Sequence, residues 1–344
     1  MFVPEFHTPP PGHHLRNALL TLLVIVVAII TTLLVGAAGV IGSYTANLSS
    51  TFDSAKKVAV SEVFPEEATR PVVSATTSQN ILLMGSDSRG ALADDIDDVG
   101  GTRSDTMMVV HISANRDSVQ VMSIMRDSWV DIPGHGKAKM NAALAFGGVP
   151  LAVQTIEGLI GSRIDRVAIV DFEGFKGITD ALHGVEVNNP VAFDSYHLEG
   201  KVFAEGLSTL TGEEALAFVR ERYAFTDGDY QRVRNQQAFI RGVMSEILSA
   251  ETLTNPMTIS NLVSSIAPFV TLDAGFTSAY AAGLGLELRD IRMEDVAFFT
   301  MPTRGTGMEG SQSVVNVDWD QLAVLQQHFR DDTLSEYQSS SPGG

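Results

Sequence analysis

The sequence predicts an α/β layered domain with a mixed central sheet, preceded by one N-terminal transmembrane helix. Three observations support this fold class. Strand-like and helix-like stretches alternate between residues 79 and 332, which is typical of helices layered around one sheet. No charged residue stands between Arg16 and Asp53, where the chain is mostly apolar. Roughly 300 residues follow this apolar segment, enough for one large domain.

The apolar segment comes first in the chain. A helix rises by about 1.5 Å per residue, so the run is long enough to cross a hydrocarbon layer of about 30 Å. Residues 17–43 are therefore predicted to form a single-pass transmembrane helix in the cell membrane. Arg16 favours a cytoplasmic tail at residues 1–16, with the remaining chain outside the cell. The alternative is a cleavable signal peptide, whose apolar region is usually about 7–15 residues.

Two less regular segments flank the predicted domain at residues 79–332. Residues 44–78 are rich in Ser, Thr, Ala and Val and contain prolines, which predicts an extracellular stalk with a short amphipathic helix at 52–63. Residues 333–344 end in Ser-Ser-Ser-Pro-Gly-Gly and are predicted to be disordered.

Within the domain, β-branched and apolar runs predict strands and longer periodic stretches predict helices. A turn signal at residues 115–118 predicts a hairpin between the second and third strands. Thr211-Gly-Glu-Glu214 is a capping box that opens a helix to about Phe218. The expected strands or extended stretches are residues 81–84, 107–112, 119–125, 167–171, 185–193 and 296–301. The other expected helices are residues 139–146, 150–160, 172–182, 231–248, 260–267, 278–286 and 318–329.

Composition excludes several function classes. The chain has no cysteine, so disulfides, thiolate metal sites and cysteine nucleophiles are excluded. The net charge of −18 argues against a nucleic acid partner, which needs a basic surface. The sequence contains no nucleotide P-loop motif, no His-Glu-x-x-His zinc motif and no Gly-x-Ser-x-Gly motif.

Two aspartates mark a candidate cation site. Asp87 follows the first strand and Asp105 precedes the second, so antiparallel pairing brings both to one sheet edge. Pairing Ile112 with Val119 across the hairpin then places Asp105 opposite Arg126. Two carboxylates and an arginine fit a hard cation together with a phosphate. The alternative is that both aspartates cap turns.

A cluster of arginines marks a candidate phosphate site. Four arginines, at positions 220, 222, 232 and 234, fall within a short stretch of an otherwise acidic chain. Arg232 and Gln236 are four residues apart and share a helix face, while Asp227 and Asp229 stand at its start. Guanidinium groups match phosphate oxygens in pairs. The alternative is a solvated face whose arginines pair with Glu213, Glu214 and Glu221.

A basic stretch follows the hairpin. Residues 134–141, Gly-His-Gly-Lys-Ala-Lys-Met-Asn, are expected to form a flexible loop that leads into a helix. Lys137, Lys139 or Asn141 could reach a phosphate there, because a helix N-terminus favours anions. An ordinary surface loop is the alternative.

Several of these segments resemble the LytR-CpsA-Psr (LCP) family of membrane-anchored bacterial envelope enzymes. The segment at residues 123–134, Ser-Ile-Met-Arg-Asp-Ser-Trp-Val-Asp-Ile-Pro-Gly, carries the resemblance most clearly, although Met125 stands where many members have proline. The other matching segments are residues 80–90, 101–112, 139–148, 185–193, 206–223 and 228–241.

The resemblance implies an α/β/α fold with an apolar pocket for a polyprenyl chain, for which residues 167–175 and 185–193 are candidates. It implies transfer of a phosphoglycan from a polyprenyl-diphosphate carrier to peptidoglycan, with Mg²⁺ or Mn²⁺ as cofactor. The polymer would be teichoic-acid-like, arabinogalactan-like or another secondary wall glycan. Alternatives are a polyprenyl-diphosphate hydrolase and a non-catalytic polyprenyl-phosphate-binding regulator of envelope assembly.

The resemblance also implies roles for individual residues. Asp87 and Asp105 match positions linked to the metal, and both are candidate catalytic residues together with Arg126, Arg220 and Arg222. The positions implied around the diphosphate are Arg89, Arg103, Arg126, Arg220, Arg222 and Arg232, with Asp229 and Gln236 as further polar groups.

Overall fold

The structure, a computed structural model, describes residues 49–50, 52–53, 55–86, 104–247, 263–264, 266–288 and 290–337. The predicted cytoplasmic tail and transmembrane helix at residues 1–43 lie outside the described residues. Asp87, Arg89 and Arg103 also lie outside them, and Asp105 is described in its backbone alone.

The strands, in chain order, are β1 (Lys56–Val58), β2 (Gln79–Ser86), β3 (Ser104–Ile112), β4 (Val119–Ile124), β5 (Trp129–Ile132), β6 (Gly136–Lys139), β7 (Arg166–Asp171), β8 (Val185–Asn189), β9 (Phe193–Asp194), β10 (Val202–Phe203), β11 (Gly206–Leu210), β12 (Val270–Asp273), β13 (Val296–Thr300), β14 (Thr303–Glu309) and β15 (Gln312–Val317). The α-helices are α1 (Val60–Val63), α2 (Ala142–Ile160), α3 (Phe172–Ala181), α4 (Gly212–Arg220), α5 (Gly228–Ile247), α6 (Ser278–Glu287) and α7 (Trp319–Asp331).

Seven strands form the central sheet in the order β1-β12-β7-β2-β3-β4-β13. Parallel pairs (β1–β12, β7–β2 and β4–β13) and antiparallel pairs (β12–β7, β2–β3 and β3–β4) both occur. The prediction of a mixed central sheet is therefore confirmed. The predicted hairpin register is also confirmed, because Ile112 pairs with Val119.

Helices cover both faces of this sheet. Successive side chains of a strand point to opposite faces, and in β2 Ile81 and Leu83 join one core cluster while Leu82 and Met84 join another. The first cluster includes residues of α3, α4, α5 and α6, and the second includes residues of α2 and α7. The chain thus has three layers with a core on each side of the sheet.

The helix α2 combines the two helices predicted at residues 139–146 and 150–160. Gly147 and Gly148 leave helical geometry inside it, where the sequence pattern predicted a break, and Pro150 follows. The predicted start of the first helix at residue 139 is wrong, because residues 136–139 form β6 and pair with β5. Among the described residues α2 has the length and hydropathy of a membrane span, but most of it is buried in the second core.

The predicted stalk is wrong for the described part of residues 52–78. Phe52 lies in the first core and Phe64 in the second, and β1 joins the central sheet where a helix was expected. Arg70 binds buried Glu157 with two nitrogens, 2.6 and 3.0 Å from Oε1. This segment is therefore part of the domain, because its apolar side chains complete the core.

The predicted disordered tail is also wrong at its start. Residues Leu334–Glu336 form a 3-10 helix, and Leu334 is buried in the second core. Residues 338–344 lie outside the described residues. Of the helix predicted at residues 260–267, residues 263–264 and 266 are helical, and a 3-10 helix follows at Ala267–Phe269.

We expect Gly242→Ala to lower the free energy of unfolding by about 2 kcal/mol. A Cβ at this position of α5 would stand 2.1 Å from the carbonyl oxygen of Glu186 in β8, so the helix would have to move off the strand. The matched control is Gly283→Ala in α6, where a Cβ would have no neighbour within 4 Å. The control should gain up to about 1 kcal/mol from helix propensity. Urea unfolding measures both, and equal effects would contradict this close packing.

Candidate functional site

An apolar cavity of about 110 Å³ lies between the sheet and helices α3, α4 and α5. Its inner wall is formed by side chains such as Leu83 and Met108 on the strands and Phe239 and Val243 on α5. One end of the cavity is polar, where Thr106, Arg220 and Gln236 contribute to the lining. We call this end the mouth. The cavity therefore has an apolar interior and a polar opening.

Strand pairing brings the two predicted acidic segments to this mouth. Gly85 near the end of β2 pairs with Thr106 near the start of β3, and both line the cavity. Ser86 pairs with Ser104 beyond them. The backbone of Asp105 thus lies beside a residue of the mouth. The metal-ligand role of Asp87 and Asp105 stays a prediction.

Arg220 and Arg222 lie on either side of a buried glutamate. Arg220 is the last residue of α4, and its guanidinium lies 4.5 Å from the ring centre of Phe172, which also lines the cavity. Glu221 is fully buried. Its Oε1 accepts backbone N–H groups of Arg222, Tyr223 and Ala224 at 3.0–3.3 Å, and its Oε2 accepts that of Tyr196 at 2.6 Å. Glu221 therefore fixes the turn between the two arginines.

Helix α5 holds the end of α4 in place. The buried side chains of Asn235 and Gln236 donate hydrogen bonds to the carbonyl oxygens of Phe218 and Val219, at 3.0 and 3.4 Å. These carbonyls belong to the last turn of α4, where helical partners run out. Gln236 thus has a structural role besides lining the mouth.

A chain of alternating charges links the second group of arginines. Arg232 is buried and its Nη2 lies 2.9 Å from Oδ1 of Asp229, which is 3.6 Å from Nη1 of Arg222. Asp127 is buried near Arg232, with Nζ of Lys139 at 3.0 Å and Nε of Arg126 at 3.5 Å. The structure therefore brings Arg126, Arg222 and Arg232 together.

Asp127 balances part of this positive charge. Burial by itself raises the pKa of its carboxyl, but the hydrogen bond from Lys139 and the charges of Arg126, Lys139 and Arg232 outweigh burial and hold the pKa below its usual value. A lowered pKa in the folded state stabilises the fold above the unfolded pKa, and this contribution is lost as pH falls through the folded pKa.

The net charge of the cluster remains positive. It contains five cations (Arg126, Lys139, Arg220, Arg222 and Arg232) and three described anions (Asp127, Glu221 and Asp229). Since the whole chain carries −18, this concentration of cations fits an anionic ligand. Beside an apolar cavity, it fits an amphiphile with an anionic head.

The alternative for the arginine cluster is a solvated face whose arginines pair with nearby glutamates. Three of the residues concerned, Glu214, Glu221 and Arg234, have other partners. Glu214 pairs with Lys201, and Glu221 binds backbone amides. Arg234 pairs with Asp227.

Two sequence expectations fail at this site. Residues 134–139 form the turn and the second strand of the β5–β6 hairpin rather than a flexible loop, and Lys139 binds Asp127. Residues 185–193 do not line the cavity, since Val185, Val187 and Phe193 pack in the core. Within 167–175, the residues that do line it are Ala168, Val170, Phe172 and Phe175.

Comparison with known proteins agrees with this architecture. The profile of the LytR_cpsA_psr family matches residues 41–331. The polyisoprenyl-teichoic acid–peptidoglycan teichoic acid transferase TagU of Bacillus cereus is 40% identical over 183 residues, which make up 53% of this chain and 57% of that protein. The matched region therefore spans little more than half the length of this relative.

Solved structures share the fold. The crystal structure of B. subtilis TagV has a TM-score of 0.63 and 24% identity, covering 76% of this chain and 98% of that one. The LytR-Csp2A-Psr enzyme from Actinomyces oris has a TM-score of 0.61 and 21% identity, covering 80% of this chain and 96% of that one.

Replacing Glu221 tests how much its carboxylate stabilises the turn between Arg220 and Arg222. Glu221→Gln should lower the free energy of unfolding by about 2–3 kcal/mol, because an amide turns an N–H donor toward backbone donors that need an acceptor. Glu213→Gln, at an exposed position in the first turn of α4, is the control and should change it by less than about 0.5 kcal/mol. Chemical denaturation measures both values. A Glu221 variant as stable as the control would rule out this role.

Proposed function

The chain belongs to the LytR-CpsA-Psr family, and we propose that it transfers a phosphoglycan from a polyprenyl-diphosphate carrier to peptidoglycan. The observation that carries this proposal is Arg220 in the polar lining of an apolar cavity, with Arg222 two residues later joined to Arg232 through Asp229. Polyprenyl diphosphates combine a hydrocarbon tail with a doubly phosphorylated head, so one molecule would use both parts. The names of the TagU relatives, which are teichoic acid transferases, support a wall polymer as the transferred group.

In the proposed reaction, a sugar hydroxyl of peptidoglycan attacks the phosphorus that carries the glycan. A new P–O bond forms to the acceptor, the P–O bond to the lipid phosphate breaks, and polyprenyl monophosphate leaves while the hydroxyl proton is released. Negative charge grows on the leaving phosphate as its bond breaks. Arg220 and Arg222 lie where they could neutralise this charge, and Arg126 and Arg232 extend the positive field behind them.

The proposal includes Mg²⁺ or Mn²⁺ held by Asp87 and Asp105. Gly85 and Thr106, which line the mouth, stand two residues before the first aspartate and one residue after the second. Carboxylates beside bound phosphate oxygens are the donor set that Mg²⁺ prefers. When bound, such a cation neutralises diphosphate charge and stabilises the leaving group.

The proposed location follows from the apolar segment at residues 17–43. We propose that this segment anchors the chain in the cell membrane, with the N-terminus in the cytoplasm and the domain outside. A membrane-anchored domain would meet its lipid-linked donor at the bilayer surface and its peptidoglycan acceptor beyond it.

Arg222→Ala should lower the rate of polymer transfer by about a hundredfold or more, the effect typical of losing one donor to a developing anion. Arg234→Ala is a matched control, since the two side chains are 31% and 32% exposed, but Arg222 faces Asp229 in the charge cluster whereas Arg234 pairs with Asp227. The assay follows labelled polymer from a polyprenyl-diphosphate donor onto peptidoglycan. Equal losses in both variants would contradict the assignment, and release of free polymer would favour the hydrolase alternative.

Asp105→Asn should weaken Mn²⁺ binding by about tenfold or more, measured by electron paramagnetic resonance with farnesyl diphosphate present. Asp131→Asn, at an exposed position of β5, should leave Mn²⁺ binding unchanged. Unaltered binding and transfer in the Asp105 variant would remove this carboxylate from the metal site.

A further inference from the structure

Two exposed tyrosines lie next to the turn between Arg220 and Arg222. The side chains of Tyr196 and Tyr223 are 72% and 62% exposed. Their ring centres lie 4.7 Å apart with an angle of 48° between the planes. Large exposed aromatic groups held side by side are uncommon on a protein surface unless they bind something. We call Tyr196, His197 and Tyr223 the aromatic platform.

The backbone under the platform is fixed from below. Glu221 accepts the backbone N–H groups of both tyrosines, one on each carboxylate oxygen. His197 Nε2 donates to the carbonyl oxygen of Arg220 at 3.1 Å, and the Ser195 hydroxyl accepts the N–H groups of His197 and Leu198. The backbone that carries the rings is therefore held in place before any ligand arrives, which lowers the entropic cost of binding.

The platform is continuous with the candidate diphosphate site. The guanidinium of Arg222 lies 5.1 Å from the ring centre of Tyr223 and also faces Asp229 in the charge cluster. Arg220 lines the apolar cavity, and Arg222, two residues later, lies against Tyr223. A polyprenyl-diphosphate-linked glycan has the same order of parts: hydrocarbon, diphosphate and sugar.

We propose that the aromatic platform binds the sugar ring attached to the diphosphate of the donor. Sugar rings present C–H bonds with partial positive charge, which pack on the negative face of an aromatic ring. The same rings leave hydroxyl groups in contact with water, as an exposed platform allows. This inference rests on the proposed function and adds a glycan subsite to it.

The test compares two soluble donors on the full-length protein in detergent with Mg²⁺. One is farnesyl diphosphate, and the other is farnesyl diphosphate that carries one N-acetylglucosamine. For the native protein we expect the glycosylated ligand to bind about five- to tenfold more tightly, an effect typical of one aromatic contact. Isothermal titration calorimetry measures both affinities.

The variants Tyr196→Ala and Tyr223→Ala should lose most of this difference while binding farnesyl diphosphate as before. Tyr196→Phe and Tyr223→Phe keep the rings and should retain it. Trp319→Ala removes an exposed aromatic group on α7 and is the control. In the transfer assay, the alanine variants should raise KM for the donor and leave KM for peptidoglycan unchanged.

The possible failures are distinguishable. If neither ligand binds the native protein, the proposed function itself fails. If the native protein and every variant bind the two ligands equally well, the platform is not a sugar site, although the diphosphate site is still supported. A change confined to KM for peptidoglycan, or a loss of binding to anionic lipid vesicles without a change in sugar binding, would also overturn the assignment.

Discussion

The hydrogen bonds from α5 to the last turn of α4 determine the geometry of the whole site. Asn235 and Gln236 donate to the carbonyl oxygens of Phe218 and Val219 in the last turn of α4, where i to i+4 helical partners run out. This contact fixes where α4 ends, and therefore where Arg220 points and where the turn through Glu221 begins. Since α5 also carries Arg232 and lines the cavity, one helix aligns the charged mouth with the apolar interior.

A partly buried cluster of cations needs internal compensation, and two aspartates supply part of it. Asp127 faces Lys139 and Arg126, and Asp229 faces Arg232 and Arg222. Isolated buried charges are strongly destabilising, whereas charges with close partners are tolerated. The aspartates are fewer than the cations, so the site keeps a positive potential in an acidic chain. Positive charge held in advance would neutralise a phosphate without rearrangement during the reaction.

Local patterns in the sequence predicted much of this arrangement. The hairpin register followed from one turn signal and two apolar strands, and the capping box Thr211–Glu214 marked the start of α4. Clustered arginines in an acidic chain predicted the charged mouth. Each of these signals depends on neighbours in the chain, which is where sequence patterns carry most information.

The features that the sequence did not predict depend on distant parts of the chain. β1 pairs with β12, more than two hundred residues later, so its place in the sheet had no local signal. Glu221 is expected to be a surface charge, yet its carboxylate is buried among amides from two separate loops. Asp127 directly follows Arg126 in the sequence. It could have been identified by asking which carboxylate balances so many cations.

A crystal structure of the protein with geranylgeranyl diphosphate and Mg²⁺ tests whether the mouth and the cavity bind one polyprenyl diphosphate. We expect phosphate oxygens in hydrogen-bond contact with Arg220 and Arg222 and the hydrocarbon tail between the sheet and α5. A tail bound outside this cavity, or a diphosphate away from these arginines, would contradict this binding mode.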